Sequence, residues 1–60
     1  MIFSFQIMIG PYEQHIVRSE SEDRAVKKWL EDQGWESAEA AAAEYEGVTS
    51  GDVHAVLLGR

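Results

Sequence analysis

Residues 19–35, SESEDRAVKKWLEDQGW, contain the start, the apolar face and the end of one amphipathic helix, around which the other segments can be arranged. The apolar residues of this stretch recur at helical spacing and form a single stripe, made of Ala25, Val26, Trp29 and Leu30. The charged residues fall on the remaining faces. The stripe predicts a helix that covers a sheet, and a partner-binding face is the alternative interpretation.

The start of this helix is marked by Ser19 and Glu22. As the N-cap, Ser19 would accept a hydrogen bond from the amide of Glu22, whose side chain would return to the amide of Ser19. The first turn holds Glu20, Glu22 and Asp23, where the helix dipole favours negative charge. Two i,i+4 ion pairs are also expected: Glu20 with Arg24, and Asp23 with Lys27.

The end of this helix is marked by Gly34. Glycine readily adopts the left-handed conformation that the C′ position requires. Trp35, at C″, would then close over Leu30 and make the apolar contact of a Schellman ending.

Two strands are predicted before the helix. The first is Ile2–Ile9, whose odd positions would face the core: Phe3, Phe5, Ile7 and Ile9. The segment Gly10–Glu13 is a turn signal with Pro11 at position i+1 of a type I turn, and residues 14–18, QHIVR, predict the second strand. The register stays open. A two-residue loop pairs Ile7 with Ile16, a three-residue loop pairs Phe5 with Val17, and the choice decides which face each residue occupies.

A second helix is predicted for residues 36–46, ESAEAAAAEYE, because four consecutive alanines have high helix propensity. Ser37 is the expected N-cap, and Gly47 followed by Val48 is the expected end. The inner face would consist of Ala38, Ala41, Ala42 and Tyr45. Close packing of the alanines against a partner helix is the alternative interpretation.

The third strand, residues 53–58, VHAVLL, is apolar on both faces, which is typical of a central strand or of one covered on both sides. It could also lie beside the first strand, which would then be the central one. The predicted fold class is therefore α+β in the order β-β-α-α-β, a three-stranded, mainly antiparallel sheet with two helices on one face. The second sheet face would carry Ile2, Met8, Val56, Leu58 and one of Ile16 or Val17. Since a small domain rarely exposes so much apolar surface, we expect a homodimer or an obligate partner.

Length and charge limit the possible functions. Sixty residues allow one domain, residues 1–60, and the absence of cysteine excludes disulfides. The net charge of −6, from eleven carboxylates against five Lys and Arg, disfavours direct binding to nucleic acid or an anionic membrane, which require a basic surface. The apolar start, MIFSFQIMIG, lacks the basic region and cleavage site of a signal peptide, so we expect a complete, soluble, cytoplasmic chain.

No constellation in the sequence indicates a catalytic, cofactor or metal site. The serines fit no nucleophile-elbow pattern. His15 and His54 could meet on adjacent strands, with Glu13 or Asp52 beside them, but no ligand spacing supports zinc. Residues 47–52, GVTSGD, lack the lysine of a phosphate loop and precede a strand instead of a helix. We therefore expect no enzyme activity.

The net charge is concentrated in the helical layer, where nine carboxylates lie between residues 20 and 46 against three basic residues. Carboxylates on helices can imitate phosphates, because both offer oxygen acceptors to Arg and Lys. We expect this layer to bind a basic protein, in particular a nucleic-acid-binding one. The expected contact residues are Glu31, Asp32, Glu36 and Glu39 at the corner between the helices, Glu20, Glu22 and Asp23 in the first turn, and Tyr12 and Glu13 at the hairpin tip.

In size and charge, the chain is similar in kind to the small inhibitors encoded by phages and mobile elements, which include anti-CRISPR and anti-restriction proteins. This resemblance is one of class, and it implies a non-enzymatic protein-binding module, a candidate DNA mimic. The alternative is a structural or regulatory subunit of an oligomer, in which the acidity serves only solubility.

Overall fold

A computed structural model describes residues 1–60 as a three-stranded antiparallel sheet with two helices packed on one face, in the order β-β-α-α-β. The predicted α+β fold is thus confirmed. The elements are β1 (Phe3–Ile9), β2 (Tyr12–Ser19), α1 (Glu22–Gln33), α2 (Ala38–Ala42), a 3-10 turn (Ser50–Asp52) and β3 (Val53–Gly59). The sheet order is β2-β1-β3, so the first strand is central and pairs with both others.

The core lies between this sheet and the helices. The odd positions of β1 face inward as predicted, and Ile7 and Ile9 are fully buried. Trp29 of α1 supplies the largest side chain of the helical layer to the core. Complete burial of an aliphatic side chain is worth about 1.5–3 kcal/mol, so β1 anchors the fold.

The hairpin between β1 and β2 closes through two residues, because Ile9 pairs with Tyr12 across Gly10 and Pro11. Gly10 has a φ of 58° and so occupies the first loop position, which in a type II′ turn requires positive φ. The predicted type I turn with Pro11 at i+1 is therefore wrong. A side chain at residue 10 would also collide with Val48, whose Cγ1 lies 2.6 Å from the place of a Cβ atom.

A β-bulge in β2 settles the open register. Pairing shifts by one residue between Gln6 and Met8, so that two residues of β2, Gln14 and His15, stand opposite Ile7. Beyond the bulge, Phe5 pairs with Val17, which is one of the two registers left open by the sequence. In the structure, this register is produced by a two-residue loop together with one extra residue in the bulge. The sequence-based prediction connects the same register with a three-residue loop.

The start of α1 differs from the prediction. Ser21, not Ser19, is the N-cap, and its hydroxyl accepts a hydrogen bond from the amide of Arg24 at 3.3 Å. Ser19 is instead the buried last residue of β2, paired with Phe3. The hairpin continues beyond the predicted end at Arg18, so sheet pairing takes Ser19 away from the helix.

The end of α1 has the predicted Schellman geometry. Gly34 is left-handed, with a φ of 80°, and its amide donates to the carbonyl of Glu31 at 3.1 Å. The amide of Trp35 donates to the carbonyl of Leu30 at 2.9 Å. These two bonds satisfy carbonyl groups that would otherwise lack a partner at the helix end.

The second helix begins at the predicted cap but ends early. The Ser37 hydroxyl accepts from the amide of Ala40 at 3.1 Å, whereas the helix stops at Ala42 and Gly47 lies outside it. Beyond Ala42 the chain tightens, and the amide of Tyr45 donates to the carbonyl of Ala42 at 3.0 Å. This turn packs the Tyr45 ring against Tyr12, with centroids 5.1 Å apart, so tertiary contact overrides the helix propensity of the alanines.

The two edges of the sheet are unlike. The β2 edge contains Glu13, Arg18 and the bulge, which are features that discourage further strand pairing. The β3 edge has no Asp, Glu, Lys or Arg between Val53 and Leu58. The prediction that β3 is central or covered on both sides is therefore wrong: it borders β1 alone, and Leu57 is 54% exposed.

Candidate protein-binding surfaces

The bulge in β2 ties the hairpin to α1 and to the turn that follows α2. His15 Nδ1 accepts a hydrogen bond from the indole Nε1–H of Trp29 at 3.1 Å. Gln14 Oε1 accepts from the hydroxyl of Tyr45 at 3.2 Å. Because an indole can only donate, Nδ1 of His15 is the acceptor in this bond. The helical layer is thus held to β2 by side-chain hydrogen bonds as well as by apolar packing.

The other side of the bulge is closed by Gln6. Its amide nitrogen donates to the carbonyl of Gln14 at 2.6 Å and also lies 3.4 Å from the carbonyl of His15. Gln6 thus contacts the backbone of both residues of the bulge. This arrangement was not predicted from the sequence. Three polar residues, Glu13 to His15, precede two apolar ones, Ile16 and Val17, so β2 shows no alternation from which the position of the bulge could be predicted.

The helical layer exposes its charge. All nine carboxylates between residues 20 and 46 are exposed, against the three basic residues of α1. The predicted pair of Glu20 with Arg24 forms, with an N–O distance of 3.6 Å, whereas Asp23 and Lys27 form no ion pair. The layer therefore carries the whole net charge with little internal compensation.

Within this layer, Glu31 and Asp32 at the corner between the helices are the carboxylates that the helix dipole disfavours. The corner patch, as we define it, consists of Glu31, Asp32, Glu36 and Glu39. None of the four forms an ion pair. Carboxylates in the last turn of a helix oppose its dipole, and α1 has no basic residue there to offset Glu31 and Asp32. By contrast, Glu22 and Asp23 lie in the first turn, where the dipole favours them.

The corner patch is also rigidly held. The Schellman bonds of Gly34 and Trp35 fix its first side, and the Ser37 cap fixes its second. Glu36 lies between these two structures and Glu39 lies in the first turn of α2. The structure therefore places the four predicted corner residues on consecutive segments whose backbone is set by local hydrogen bonds.

The two residues expected at the hairpin tip point to different faces. Tyr12 lies on the helical side, against Tyr45, and its hydroxyl donates to the carbonyl of Glu46 at 3.4 Å. Glu13 pairs with Met8 and so lies on the opposite face of the sheet. The structure therefore brings Tyr12 to the acidic layer and separates Glu13 from it.

That opposite face, here called the open sheet face, is not covered by any element. Its outward residues come from all three strands: Glu13, Ile16, Arg18, Ser4, Gln6, Met8, His54 and Val56. Ile16 is 61% exposed and Val56 45% exposed, whereas Val17 is in the core. Ile2 and Leu58 add exposed apolar surface near one end of the sheet. Ile16, not Val17, is thus the residue of β2 on this face.

The histidines do not approach each other. His15 lies on β2 and His54 on β3, and β1 separates the two strands, so the expectation that they could meet on adjacent strands is wrong. No group of three or more His, Cys, Asp or Glu side chains is arranged to hold a metal ion. Residues 49–52 form a turn in which the Asp52 carboxylate accepts from the amide of Thr49 at 2.8 Å.

No family model, curated protein or solved structure matches the chain. Neither helix has the length and apolar composition that crossing a bilayer would require.

Proposed function

We propose that this chain is a non-enzymatic protein-binding module that docks its acidic helical layer on a basic, nucleic-acid-binding surface of another protein. In this it would act like the small inhibitors of phages and mobile elements, of the anti-CRISPR or anti-restriction type. The observation that carries the proposal is the corner patch, whose carboxylates at Glu31 and Asp32 oppose the helix dipole and have no basic neighbour in the last turn. Their placement is unfavourable for the helix, and a basic partner would compensate it.

The geometry of the corner suits such a partner. Exposed carboxylates accept charge-assisted hydrogen bonds from Arg and Lys in the way that phosphates do. A backbone already fixed by the Gly34 ending and the Ser37 cap loses little conformational freedom on binding. Electrostatic attraction of this kind mainly accelerates association, and it weakens as salt is added.

The test uses two variants of equal net charge. In the first, Glu31 and Asp32 are each replaced by lysine. In the control, the same replacement is made at Glu44 and Glu46, which are acidic residues outside the corner patch and outside the other expected contact residues. Immobilised parent and variant proteins are exposed to a host lysate, retained proteins are identified by mass spectrometry, and the retained protein is then titrated at two salt concentrations.

The parent and the control should retain a basic nucleic-acid-binding protein, and the corner variant should lose it. Titration should show slower association and an affinity reduced by about a hundredfold or more for the corner variant, with a weaker salt dependence. Equal retention and equal salt dependence of the parent and the corner variant would contradict the proposal, and would mean that the acidic layer is only solvated.

A second candidate function is supported by the open sheet face, where Ile16 and Val56 are exposed without a covering element. On this alternative, the chain is a structural or regulatory subunit of an oligomer and its acidity keeps it soluble. Binding would then depend on apolar burial and change little with salt, so the same two salt concentrations distinguish the two functions.

A further inference from the structure

We infer that two copies of this chain pack open sheet face against open sheet face, with Glu13 of each copy paired with Arg18 of the other. The two copies are related by a two-fold axis that lies between the sheets and runs across the strands. This inference is independent of the acidic layer and does not rest on the proposed function.

The open sheet face has an ordered layout. Cross-strand pairing aligns its residues in three rows, which are Glu13–Met8–His54, Ile16–Gln6–Val56 and Arg18–Ser4–Gly59. The middle row is apolar at both ends, and Gln6 at its centre already donates to the bulge. On β2, the two outer rows end in residues of opposite charge, Glu13 and Arg18.

This layout is self-complementary, as an isologous interface requires. A two-fold axis across the strands places the Glu13 row of one copy over the Arg18 row of the other, on both sides of the axis. The same axis places Ile16 over Ile16 and Val56 over Val56. An axis along the strands would instead put β2 over β3 and leave Arg18 opposite Gly59, without a charge partner.

The charges outside the open sheet face do not prevent two copies from meeting through this face. The helical layer carries the entire net charge of −6, because the carboxylates and basic residues outside residues 20–46 balance. In the dimer, the sheets lie about 10 Å apart and the acidic layers lie outside them, so the layers are separated by more than the Debye length of about 8 Å. A partner whose surface is only acidic or only basic could pair with Arg18 or with Glu13, but not with both.

The dimer is expected to be weak. Seven-residue strands and a three-stranded width give a face of about 23 by 14 Å. With corrugated side chains, two such faces bury on the order of 1,000 Å², below the usual range of about 1,200–2,000 Å² for stable interfaces. An interface of this size is at the low end for specific complexes, where weak and transient ones are found.

The experiment is sedimentation equilibrium of purified protein across a concentration range that reaches high micromolar. The variants are Glu13→Arg and Arg18→Glu, measured alone and as an equimolar mixture. Glu44→Arg serves as the control, because it changes the net charge as Glu13→Arg does but lies in the helical layer. Ile16→Asp tests the apolar row, and a thermal melt of each variant shows that it is folded.

The parent and Glu44→Arg should dimerise. Each of the two β2 variants alone should dimerise at least about tenfold more weakly, because like charges then face each other twice. The equimolar mixture should restore the dimer, since the arginine at residue 13 of one variant meets the glutamate at residue 18 of the other. Ile16→Asp should be monomeric.

Three results would overturn the inference. The first is a parent that remains monomeric at high micromolar concentration. The second is an equimolar mixture as weak as the separate variants, which excludes the pairing of Glu13 with Arg18. The third is an Ile16→Asp variant that associates as strongly as the parent, which would move the interface to the β3 edge.

Discussion

Replacement of Gly34 by alanine tests how much the end of α1 contributes to stability. At a φ of 80°, a residue with a Cβ is strained, and an alanine Cβ there would meet no other atom within 4 Å. Backbone strain is therefore the main cost. It amounts to about 1–2 kcal/mol, partly offset by the reduced entropy of the unfolded chain. We expect a net loss of about 1 kcal/mol in the free energy of unfolding.

That loss is large for so small a domain. A chain of 60 residues is expected to have a free energy of unfolding of about 3–9 kcal/mol. A loss of about 1 kcal/mol lowers the Tm of a domain of this size by about 4–8 °C. Urea unfolding followed by tryptophan fluorescence, together with calorimetry, measures both quantities.

Two other glycines sharpen the test. Gly10→Ala adds the same kind of strain and a collision with Val48, so it should cost at least about 1 kcal/mol more than Gly34→Ala. Gly51→Ala is the control, because Gly51 does not have positive φ and the nearest atom to its Cβ position is the Thr49 Oγ1 at 3.7 Å. A Gly34→Ala variant as stable as the Gly51→Ala variant would refute the Schellman explanation.

Two further predictions concern the helix start and the bulge. Ser21→Ala should destabilise by about 1 kcal/mol through loss of the cap, whereas Ser19→Ala should cost only a few tenths; equal losses in urea melts would contradict the assignment of the cap. Trp29→Phe should cost about 1–2 kcal/mol by removing the donor to His15. In a double-mutant cycle with His15→Ala, the losses should fall short of additivity by at least about 0.5 kcal/mol, and full additivity would mean that this hydrogen bond contributes nothing.

The sequence predicted the elements better than their boundaries. The start of α1 shows why: Ser19 and Ser21 are both good caps, and only the pairing of Ser19 with Phe3 decides between them. The end of α1 was predictable because Gly34 acts within its own turn. The second helix was predicted too long because the alanines indicate a helix locally, while Tyr45 is held by a contact with the distant hairpin.

The candidate surfaces divide in the same way. Exposure of the corner carboxylates follows from helix periodicity and could be predicted. The sheet face on which Glu13 and Ile16 lie could not be predicted. It depends on the bulge at Gln14 and His15, which no local sequence pattern indicates. The same holds for β3, whose apolar composition resembles that of an interior strand although it borders only one neighbour.

The unlike edges of the sheet have a consequence for aggregation. The six residues Val53–Leu58 combine high β propensity with no formal charge and no proline, which is the composition of segments that stack into cross-β fibrils. Their backbone is already extended at an unpaired edge, so recruitment of another strand requires no unfolding. Growth in the opposite direction is hindered at β2 by its charges and its bulge. Fibril formation in concentrated or partly denatured samples should therefore begin at β3.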